Sequence, residues 1–504
     1  MDSNFLTYNA LDAACTLECR NAFWDQLEYG FLPAYNMTRD ILPVLMFMQT
    51  RGIRVDLTQM EVVKQDITRA AEVAQEELNK LCGRELNVNS SKDCATYFYV
   101  ELGIPPYYNG TSITTDDLAL QRLARGVAKR PGLRQAKLVQ EIRGLHKLKG
   151  TYMEIEFDAD SRMRCSYNPR GTKFGRLSSS KTISGTGTNM QNLPQAFKKF
   201  LLADEGYVLW EVDKRQAEWV VVAYLANDAN MLSVVEAGMD THVHTASLMY
   251  GTEPELVEYE AKLVGNSTDP DFISETRLGD EVLAKYTANF PRNMSARQCG
   301  KKSNHGLNYD EGPNQFALIN EIEIAESKRI VSAYHQIYPG IRGNYYPSVQ
   351  RQLQHGRTLT NCFGRKVRFM DAWGPDLWKA AYSMLPQSTV VDSLNQGMVK
   401  TYNNTWLTRE LNLDVLAQVH DSILMQVPIA VICSPEFKRV QETVFDYVSP
   451  ELSYNSRTFK IATDMKIGLT WGAYHKESNP LGMREVKDLA KLPELLREMG
   501  VSQS

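Results

Sequence analysis

Residues 415–427 have the sequence VLAQVHDSILMQV, in which two strand-like runs are separated only by His420, Asp421 and Ser422. Apolar runs joined by so short a connection are typical of an antiparallel hairpin. Such a hairpin carries the carboxylate of Asp421 at its tip. A carboxylate at the end of a buried strand is costly unless a cation compensates its charge.

A second carboxylate stands at the end of another apolar run. Residues 207–212 read YVLWEV and lead directly to Asp213, and a helix is predicted from Gln216 to Ala226. Taken singly, each aspartate is more often a loop or capping residue. Together, Asp213 and Asp421 can meet at one edge of a sheet, where two divalent ions about 3.5–4 Å apart could support phosphoryl transfer.

A third pattern lies in the helix predicted from Ala296 to about Asn308. Arg297, Lys301 and His305 are spaced four residues apart and project from one helix face, and Tyr309 follows at the same interval. Two cations and two rings in one row suit a triphosphate held at one end and a base stacked at the other. The alternative, an exposed basic helix, requires no aromatic spacing.

The start and the glycines of this helix carry further information. Ser295 and Gln298 form a capping box at its first turn. Gly300 and Gly306 each cost about 1 kcal/mol within a helix relative to alanine. We therefore expect another part of the molecule to approach the helix closely at these glycines.

The charge of the chain is unevenly distributed. The 504 residues carry a net charge of −4, with 43% apolar and 23% charged residues, as in an ordinary globular protein. Residues 161–181 nevertheless contain six basic residues and no acid, and residues 118–150 contain nine basic residues and one acid. The nine are Arg122, Arg125, Lys129, Arg130, Arg134, Lys137, Arg143, Lys147 and Lys149. This basic stripe suits a channel for a phosphate backbone or, with equal weight, a solvated helix face.

The three patterns resemble the motifs of the family A DNA polymerases, the relatives of bacterial DNA polymerase I. Residues 213–218 (DKRQAE) look like motif A, and residues 418–422 (QVHDS) resemble motif C. The row from Arg297 to Tyr309, with Gly306 after His305, resembles motif B. The resemblance is to a compact, phage-type member and extends from about residue 50 to His475.

The resemblance implies an α+β fold shaped like a right hand, with Asp213 and Asp421 on the antiparallel palm sheet. It also implies a division of the chain into six parts. These are a remnant of a 3′–5′ exonuclease domain (1–50), palm entry and thumb (51–155), palm (156–215), fingers (216–378), palm (379–475) and a C-terminal tail (476–504).

The implied reaction is template-directed addition of dNTPs to a primer 3′-hydroxyl, in DNA replication or repair. Two Mg²⁺ ions would be held by Asp213 and Asp421, and Arg297 and Lys301 would neutralise the β- and γ-phosphates. The implied nucleotide-binding residues are Gln216, Glu218, His242, Arg297, Lys301, His305 and Tyr309.

The family's primer-template contacts have counterparts in the segments around residues 175–194 and 379–392. The implied DNA contacts are Arg176, Asn189, Gln191, Asn192, Lys379, Gln387, His420, Lys147 and Lys149. Of these, Arg176, Gln191, Asn192 and Gln387 would test minor-groove acceptors, which every base pair presents. The alternative is that they are hydrogen-bonded loop residues.

Several positions depart from the family pattern. His305 stands where the family usually has Phe or Tyr, and Asp310 stands where it usually has Gly. Ser422 replaces the usual Glu beside the motif C aspartate, so a third acid near the metals is missing. Between Gly251 and Arg297 the fingers carry about thirty additional residues.

Two rival functions were weighed against DNA synthesis. A single-subunit RNA polymerase shares the palm and often has His-Asp-Ser in motif C, but Glu218 lies where, in this family, a ribose 2′-hydroxyl would clash. A catalytically inactive DNA-binding scaffold would need none of Asp213, Asp421, Arg297 and Lys301. The sequence therefore favours a DNA polymerase.

The N-terminus and the cellular setting give further expectations. Tyr8 and Asp12 resemble the last exonuclease motif, while the two earlier motifs have no room before residue 1. We therefore expect no proofreading in this chain and a missing portion that was cut away or is a separate polypeptide.

The expected partners of the chain are primer-template DNA and dNTPs, and we expect the chain to act as a monomer. No apolar run of about 18 residues and no signal peptide occur, so we expect an intracellular, soluble protein, in the cytoplasm of a bacterial host if it is phage-encoded.

Overall fold

A computed structural model describes residues 3–28, 30–127 and 130–501 of the chain. The part before the central sheet is mainly helical. Its helices are α1 (Ser3–Glu28), α2 (Leu32–Asp40), α3 (Leu42–Arg51), α4 (Leu57–Cys82), α5 (Ser91–Ala95), α6 (Asp117–Arg125) and α7 (Arg134–Lys147). Its short strands are β1 (Ile53–Val55), β2 (Tyr108–Asn109), β3 (Ser112–Ile113), β4 (Gly126–Val127), β5 (Arg130–Pro131), β6 (Arg162–Met163), β7 (Ser166–Asn168) and β8 (Ser178–Ser180).

Helix α4 begins after a capping aspartate and ends at a glycine. The side chain of Asp56 accepts a hydrogen bond from the backbone N–H of Gln59 at 2.9 Å, and the helix ends at Gly83, whose φ is 68°. Leu78 of α4 is fully buried and packs with α6 and α7 in an apolar cluster whose members lie between residues 74 and 142. This part of the chain therefore has a core of its own.

The next elements along the chain are mainly helical and include the strand that carries Asp213. Its helices are α8 (Gln195–Lys198), α9 (Ala217–Ala226), α10 (Ala229–Glu236), α11 (Thr241–Tyr250), α12 (Pro254–Val264), α13 (Pro270–Leu278), α14 (Glu281–Tyr286), α15 (Ala296–Gly306), α16 (Pro313–Asn320), α17 (Ile324–Ile337) and α18 (Tyr346–Gly356). Its strands are β9 (Leu201–Leu202), β10 (Tyr207–Lys214), β11 (Thr358–Thr360) and β12 (Lys366–Arg368).

The remaining elements complete the sheet. The helices are α19 (Pro375–Asn403), α20 (Ile429–Ile432), α21 (Glu436–Val448) and α22 (Leu492–Glu498). The strands are β13 (Asp414–Val419), β14 (Ser422–Pro428), β15 (Leu452–Tyr454), β16 (Arg457–Phe459), β17 (Thr463–Gly468) and β18 (Arg484–Glu485). The long helix α19 joins two cores, because Leu385 packs with the helical region around α9 and Leu394 packs under the sheet.

The central sheet is antiparallel and has five strands in the order β13-β14-β10-β17-β18. Strand β10 lies in its middle, and its side chains Val208, Leu209 and Trp210 are fully buried. Each such side chain contributes about 1.5–3 kcal/mol when it is removed from water. The buried strand predicted before Asp213 is therefore confirmed.

The predicted hairpin is also confirmed. Val419 of β13 pairs with Ser422 of β14, so His420 and Asp421 alone form the turn. His420 has a φ of 52°, the left-handed conformation that tight hairpin turns require. The turn thus carries Asp421 at the end of the strand next to β10.

The segment 476–504, expected to be a C-terminal tail, takes part in the core through its described residues 476–501. Strand β18 pairs with β17, and Leu492 and Leu496 of α22 are buried in the core of the sheet. Within the described residues, no helix is long and apolar enough to cross a lipid bilayer.

Candidate active site

Asp213 and Asp421 lie side by side at one end of the sheet. The β-register pairs Asp213 with Ser422, the residue after Asp421, and the backbone N–H of Lys214 donates to the carbonyl of Asp421 at 3.2 Å. Both side chains line a cleft of about 840 Å³. The two carboxylates that the sequence places at separate strand ends therefore share one site.

Neither carboxylate forms an ion pair within the described residues. Burial raises the pKa of Asp213 to about 7; Lys466 opposes the rise, while Glu211 and Asp421 add to it. The Oδ1 atom of Asp421 is buried and has no hydrogen-bond partner in the described part of the chain. Both observations fit carboxylates that a bound cation would satisfy.

A metal at this pair would need ligands from outside the protein. Among residues 3–28, 30–127 and 130–501, no group of three or more His, Cys, Asp or Glu side chains could hold a metal ion. Mg²⁺ is commonly bound through one or two carboxylates, with water and substrate phosphates completing its coordination. The pair therefore fits Mg²⁺ that binds together with a phosphate substrate.

Sequence analysis missed a third acid, Glu211, which lines the same cleft. It lies on β10 two residues before Asp213 and is only 8% exposed. Its Oε1 accepts hydrogen bonds from Ser422 Oγ and Trp471 Nε1, both at 3.2 Å, and its Oε2 lies 3.7 Å from Lys466 Nζ. Position 422 lacks the family's usual glutamate, but Glu211 on the adjacent strand places an acid beside it. The two-residue spacing from Asp213 was the signal that could have indicated it.

Lys214, which follows Asp213 directly, was also missed. Its amine is buried and donates to the carbonyl of Val448. Burial lowers the pKa of Lys214 to about 7, and the nearby Asp421 opposes part of this decrease. The charge beside the two aspartates is therefore smaller than the sequence suggests.

Helix α15 packs closely against α11, as its glycines predict. A Cβ atom on Gly300 would lie 2.2 Å from the carbonyl oxygen of His242, and a Cβ atom on Gly306 would lie 1.8 Å from Glu311 Oε2. The close approach expected at these glycines is therefore present at Gly300, whereas the neighbour of Gly306 is the end of a flexible side chain. The approach at Gly300 places His242 of α11 beside the row of cations on α15.

His242 is a neutral hydrogen-bond donor in this arrangement. Burial lowers the pKa of His242 to about 4, an effect that Asp240 opposes and that Arg297, His305 and Lys301 reinforce. Its Nδ1 lies 3.1 Å from the amide nitrogen of Asn304, which can only donate, so the ring proton resides on Nε2. His242 can thus offer one N–H to an anion but carries no charge near pH 7.

Arg297 already has a partner. Its guanidinium donates to Asp240 Oδ2 at 2.8 and 3.1 Å, and the other oxygen of Asp240 accepts from the first backbone N–H groups of α11. Arg297 lines a second cavity of about 760 Å³, which shares His242 and Lys301 with the first. Lys301 and His305 are exposed in the main cleft. The row on α15 therefore spans two adjoining cavities.

Glu218 is held on two sides. One carboxylate oxygen accepts from Arg176, and the other accepts from the hydroxyl of Tyr309 at 2.5 Å. Burial raises the pKa of Glu218, although Arg176 and the Tyr309 hydroxyl oppose the rise. This fixed carboxylate lies in the same cleft as Asp213.

The segment 189–192 is hydrogen-bonded to the hairpin. The amide of Gln191 donates to the carbonyl of Gln418 at 2.7 Å, and its oxygen accepts from the N–H of His420 at 3.1 Å. Asn189 caps the short helical turn that follows it, by accepting from the N–H of Gln191 at 3.0 Å. Asn192 and His420 are exposed. Gln191 and Asn189 therefore form, in this structure, the hydrogen bonds that the alternative interpretation as loop residues predicts.

Eleven of the expected site residues meet in the main cleft, and Arg297 lies in the adjoining cavity. The eleven are Arg176, Asp213, Gln216, Glu218, His242, Lys301, His305, Tyr309, Gln387, His420 and Asp421. The expected DNA contacts Asn189, Gln191, Asn192, Lys379, Lys147 and Lys149 do not line it.

Part of the basic charge in residues 118–150 and 161–181 is neutralised by acidic side chains, most of them distant in the sequence. The pairs are Arg125–Glu321, Arg134–Glu77, Arg162–Asp204, Arg164–Asp158 and Lys173–Asp371. Arg143 instead donates to the backbone carbonyls of Val88 and Thr115. Lys147 and Lys149 form no ion pair with the described residues, and Lys129 lies outside them. The positive charge available to DNA is therefore smaller than the count predicts.

Comparison with known proteins agrees with the motifs. The sequence model of the family described as DNA polymerase family A matches residues 57–264 and 276–473. The thermostable DNA polymerase I of Thermus filiformis is 27% identical over 77% of this chain and 43% of its own length. DNA polymerase I of Treponema pallidum is 25% identical over 93% of this chain and 43% of its own length. The chain thus spans less than half the length of these relatives.

A solved structure has the same fold. The POL domain of Pol1 from M. smegmatis, in complex with DNA primer-template and dNTP, superposes with a TM-score of 0.68. The match covers 86% of this chain and 70% of that chain at 21% identity. The α+β fold of palm, fingers and thumb that the sequence predicts is confirmed.

Proposed function

The chain belongs to DNA polymerase family A, and on that premise we propose that it is a template-directed DNA polymerase that adds dNTPs to the 3′-hydroxyl of a primer. One observation carries the proposal. A single cleft combines two carboxylates on the palm sheet, Asp213 and Asp421, with the row of α15 that contains Lys301, His305 and Tyr309. Phosphoryl transfer needs this combination of a cation site and a triphosphate site.

Asp213 and Asp421 would hold two divalent ions, which we assign as Mg²⁺. Such ions supply charge stabilisation for the attacking and leaving oxygens of an in-line transfer. The protein's own contribution is rigid placement. Strand β10 is hydrogen-bonded on both sides, and the N–H of Lys214 ties the turn at Asp421 to it.

The triphosphate would bind along α15. Lys301 and Arg297 supply charge for the β- and γ-phosphates, and the neutral His242 supplies one N–H from the facing helix α11. Arg297 would exchange its partner Asp240, which is about one-third exposed, for phosphate oxygens. The base and sugar would then lie toward His305, Tyr309 and Gln216 at the other end of the row.

Glu218 would select deoxyribose over ribose. Its carboxylate is fixed by Arg176 and Tyr309 in the cleft where the sugar of the incoming nucleotide would lie. A fixed, buried carboxylate cannot move aside at low cost, so an added 2′-hydroxyl meets it. This arrangement supports dNTPs rather than rNTPs as substrates.

Primer-template DNA would approach the cleft from the side of Gln387, His420 and Arg176, with Asn189, Gln191, Asn192 and Lys379 beside it. We assign the thumb to residues 51–155, where Lys147 and Lys149 remain available for the phosphate backbone. The separate apolar cluster between residues 74 and 142 supports this division. We retain 156–215 and 379–475 as palm and 216–378 as fingers.

Primer extension tests the proposal directly. The chain should extend a primer on a DNA template with dNTPs and Mg²⁺, and extension should be much weaker with rNTPs. Equal use of both nucleotide classes would indicate an RNA polymerase. Firm DNA binding with no extension in Mg²⁺ or Mn²⁺ would indicate a scaffold.

We also propose that this chain acts as a monomer and does not proofread. Hydrolysis by two metals needs several converging carboxylates, whereas Tyr8 and Asp12 lie exposed on α1. A mismatched primer incubated with Mg²⁺ and no dNTPs should keep its length. Stepwise shortening that disappears in Asp12→Ala would show that the N-terminal helix belongs to an exonuclease site. A separate exonuclease polypeptide that docks at this helix would restore shortening in a mixture.

A further inference from the structure

Helices α12, α13 and α14 form the connection between α11 and α15, where the sequence predicts about thirty additional residues, and we call these three helices with their loops the addition. The match to the family stops at residue 264 and resumes at residue 276, so only residues 265–275, between the end of α12 and the middle of α13, lie outside it. The addition ends just before α15, the helix that carries Arg297 and Lys301. Its contacts with α15 indicate what it does.

A buried ion pair lies at the centre of this addition. Glu260 of α12 is completely buried, and Arg277 of α13 is 6% exposed. Arg277 donates to Glu260 Oε1 at 3.1 Å through Nε and at 2.5 Å through Nη2. The pair therefore fixes α12 and α13 to each other.

The same two side chains hold the start of α15. The other oxygen of Glu260 accepts from the N–H of Ala296, the first residue of the helix, at 3.0 Å. Arg277 donates to the carbonyls of Pro291 and Met294, in the segment that leads into the helix, at 2.7 and 3.0 Å. The planar guanidinium presents its donors in fixed directions, so these bonds specify a position as well as a contact.

Two further contacts lie next to the Glu260–Arg277 ion pair. Asn266, in the segment outside the family match, accepts a hydrogen bond from the side chain of Gln298 in the first turn of α15. Val257 of α12 is buried with Phe290 and Ala296 in a small apolar cluster. The addition thus contacts the residues on both sides of Arg297.

Stability alone does not explain a buried ion pair at this place. Burial raises the pKa of Glu260 even though Arg277 lowers it, so the pair does not recover the full cost of leaving water. Apolar side chains of similar volume commonly replace such pairs without loss of stability. The ion pair has an additional consequence, which is the defined position of three backbone groups at the start of α15.

We propose that Glu260 and Arg277 are positioning residues for nucleotide binding, and that the added helices α12–α14 set the position of Arg297 and Lys301 toward the triphosphate. This inference rests on the proposed function, because it concerns how the same site binds its dNTP. Small displacements of a binding group lower affinity strongly when the ligand is held by directed charge-assisted bonds.

The test is an apolar variant in which Glu260→Leu and Arg277→Met together replace the ion pair. Its matched control is Tyr259→Phe, which removes a hydrogen bond to Asp280 inside the addition without touching α15. We expect the apolar variant to raise the KM for dNTP about tenfold. Its kcat and its Kd for primer-template should remain near those of the control, whereas its thermal midpoint should fall because three backbone groups lose their hydrogen-bond partners. Equilibrium binding of dNTP to the complex with a dideoxy-terminated primer should weaken by the same factor.

A cycle with Arg297→Ala separates positioning from a general structural effect. The loss of dNTP affinity caused by Arg297→Ala should be several-fold smaller in the apolar variant, because Arg297 is already misplaced there. An unchanged KM, or full additivity with Arg297→Ala, would overturn the inference. If the apolar variant does not fold, Arg277→Lys and Asn266→Ala take its place under the same criteria. Failure of the unaltered chain to extend any primer would instead refute the proposed function.

Discussion

The fixed carboxylate of Glu218 gives a prediction whose size follows from its contacts. Glu218→Ala removes the group that would meet a ribose 2′-hydroxyl. The ratio of kcat/KM for rNTP to that for dNTP should then rise more than tenfold, which corresponds to about 1.4 kcal/mol of differential transition-state energy. Glu218→Gln keeps the volume of the side chain, so it should keep most of the discrimination.

Tyr309→Phe gives the intermediate case. The hydroxyl of Tyr309 donates to Glu218 at 2.5 Å, and a hydrogen bond to a charged group contributes about 1.5–3 kcal/mol. Its loss frees one carboxylate oxygen, while Arg176 still holds the other. The increase in rNTP use should therefore lie between those of the unaltered chain and Glu218→Ala.

Single-nucleotide insertion of ATP and dATP opposite template thymine measures this ratio for all three variants. An unchanged ratio in Glu218→Ala would refute the steric role and return attention to an RNA polymerase. A ratio in Glu218→Gln as high as in Glu218→Ala would show that charge, rather than volume, discriminates between the sugars.

Three further predictions concern the metals, the thumb and pH. Asp213→Ala or Asp421→Ala should abolish extension but leave primer-template binding intact, and a loss of only a few-fold in extension rate would contradict the metal assignment. Lys147→Gln with Lys149→Gln should weaken duplex binding for all sequences and reduce the slope of log affinity against log salt concentration by about 0.9 per lost phosphate contact. An unchanged slope would show that the DNA channel does not include these two lysines. Burial lowers the pKa of His335 to about 4, and neither ring nitrogen has a hydrogen-bond partner among the described residues, so stability should fall as pH decreases from about 6.5 toward 4. His335→Leu should raise the thermal midpoint more at pH 5 than at pH 8, and an equal change at both values would exclude titration as the cause.

Patterns that depend on neighbours in sequence predicted the elements of the candidate site. The apolar run before Asp213 and the hairpin at Asp421 are local patterns. That their ends meet depends on the pairing of β10 with β14, which the resemblance to the family implied and the local patterns only allowed. The capped start of α15 and its glycines are also local.

Features that depend on distant partners were not predictable in this way. Lys173 and Asp371 are 198 residues apart, and Arg125 and Glu321 are 196 residues apart, so a count along the chain could not show that their charges cancel. Glu211 was overlooked because an acid within an apolar run resembles an edge residue. Only pairing with β14 reveals its contact with Ser422.

On the proposed function, the ion pair between Arg297 and Asp240 implies that nucleotide binding exchanges one partner of Arg297 for another. Arg297 is bound to Asp240 with both side chains about one-third exposed, and such a pair contributes only about 0–1 kcal/mol. A triphosphate that replaces Asp240 would therefore lose little and gain a charge-assisted contact with Arg297. The Arg277–Glu260 pair is buried and touches three backbone groups, so it would not exchange. A labile pair beside a fixed one allows the guanidinium to turn toward the ligand while the helix that carries it stays in place.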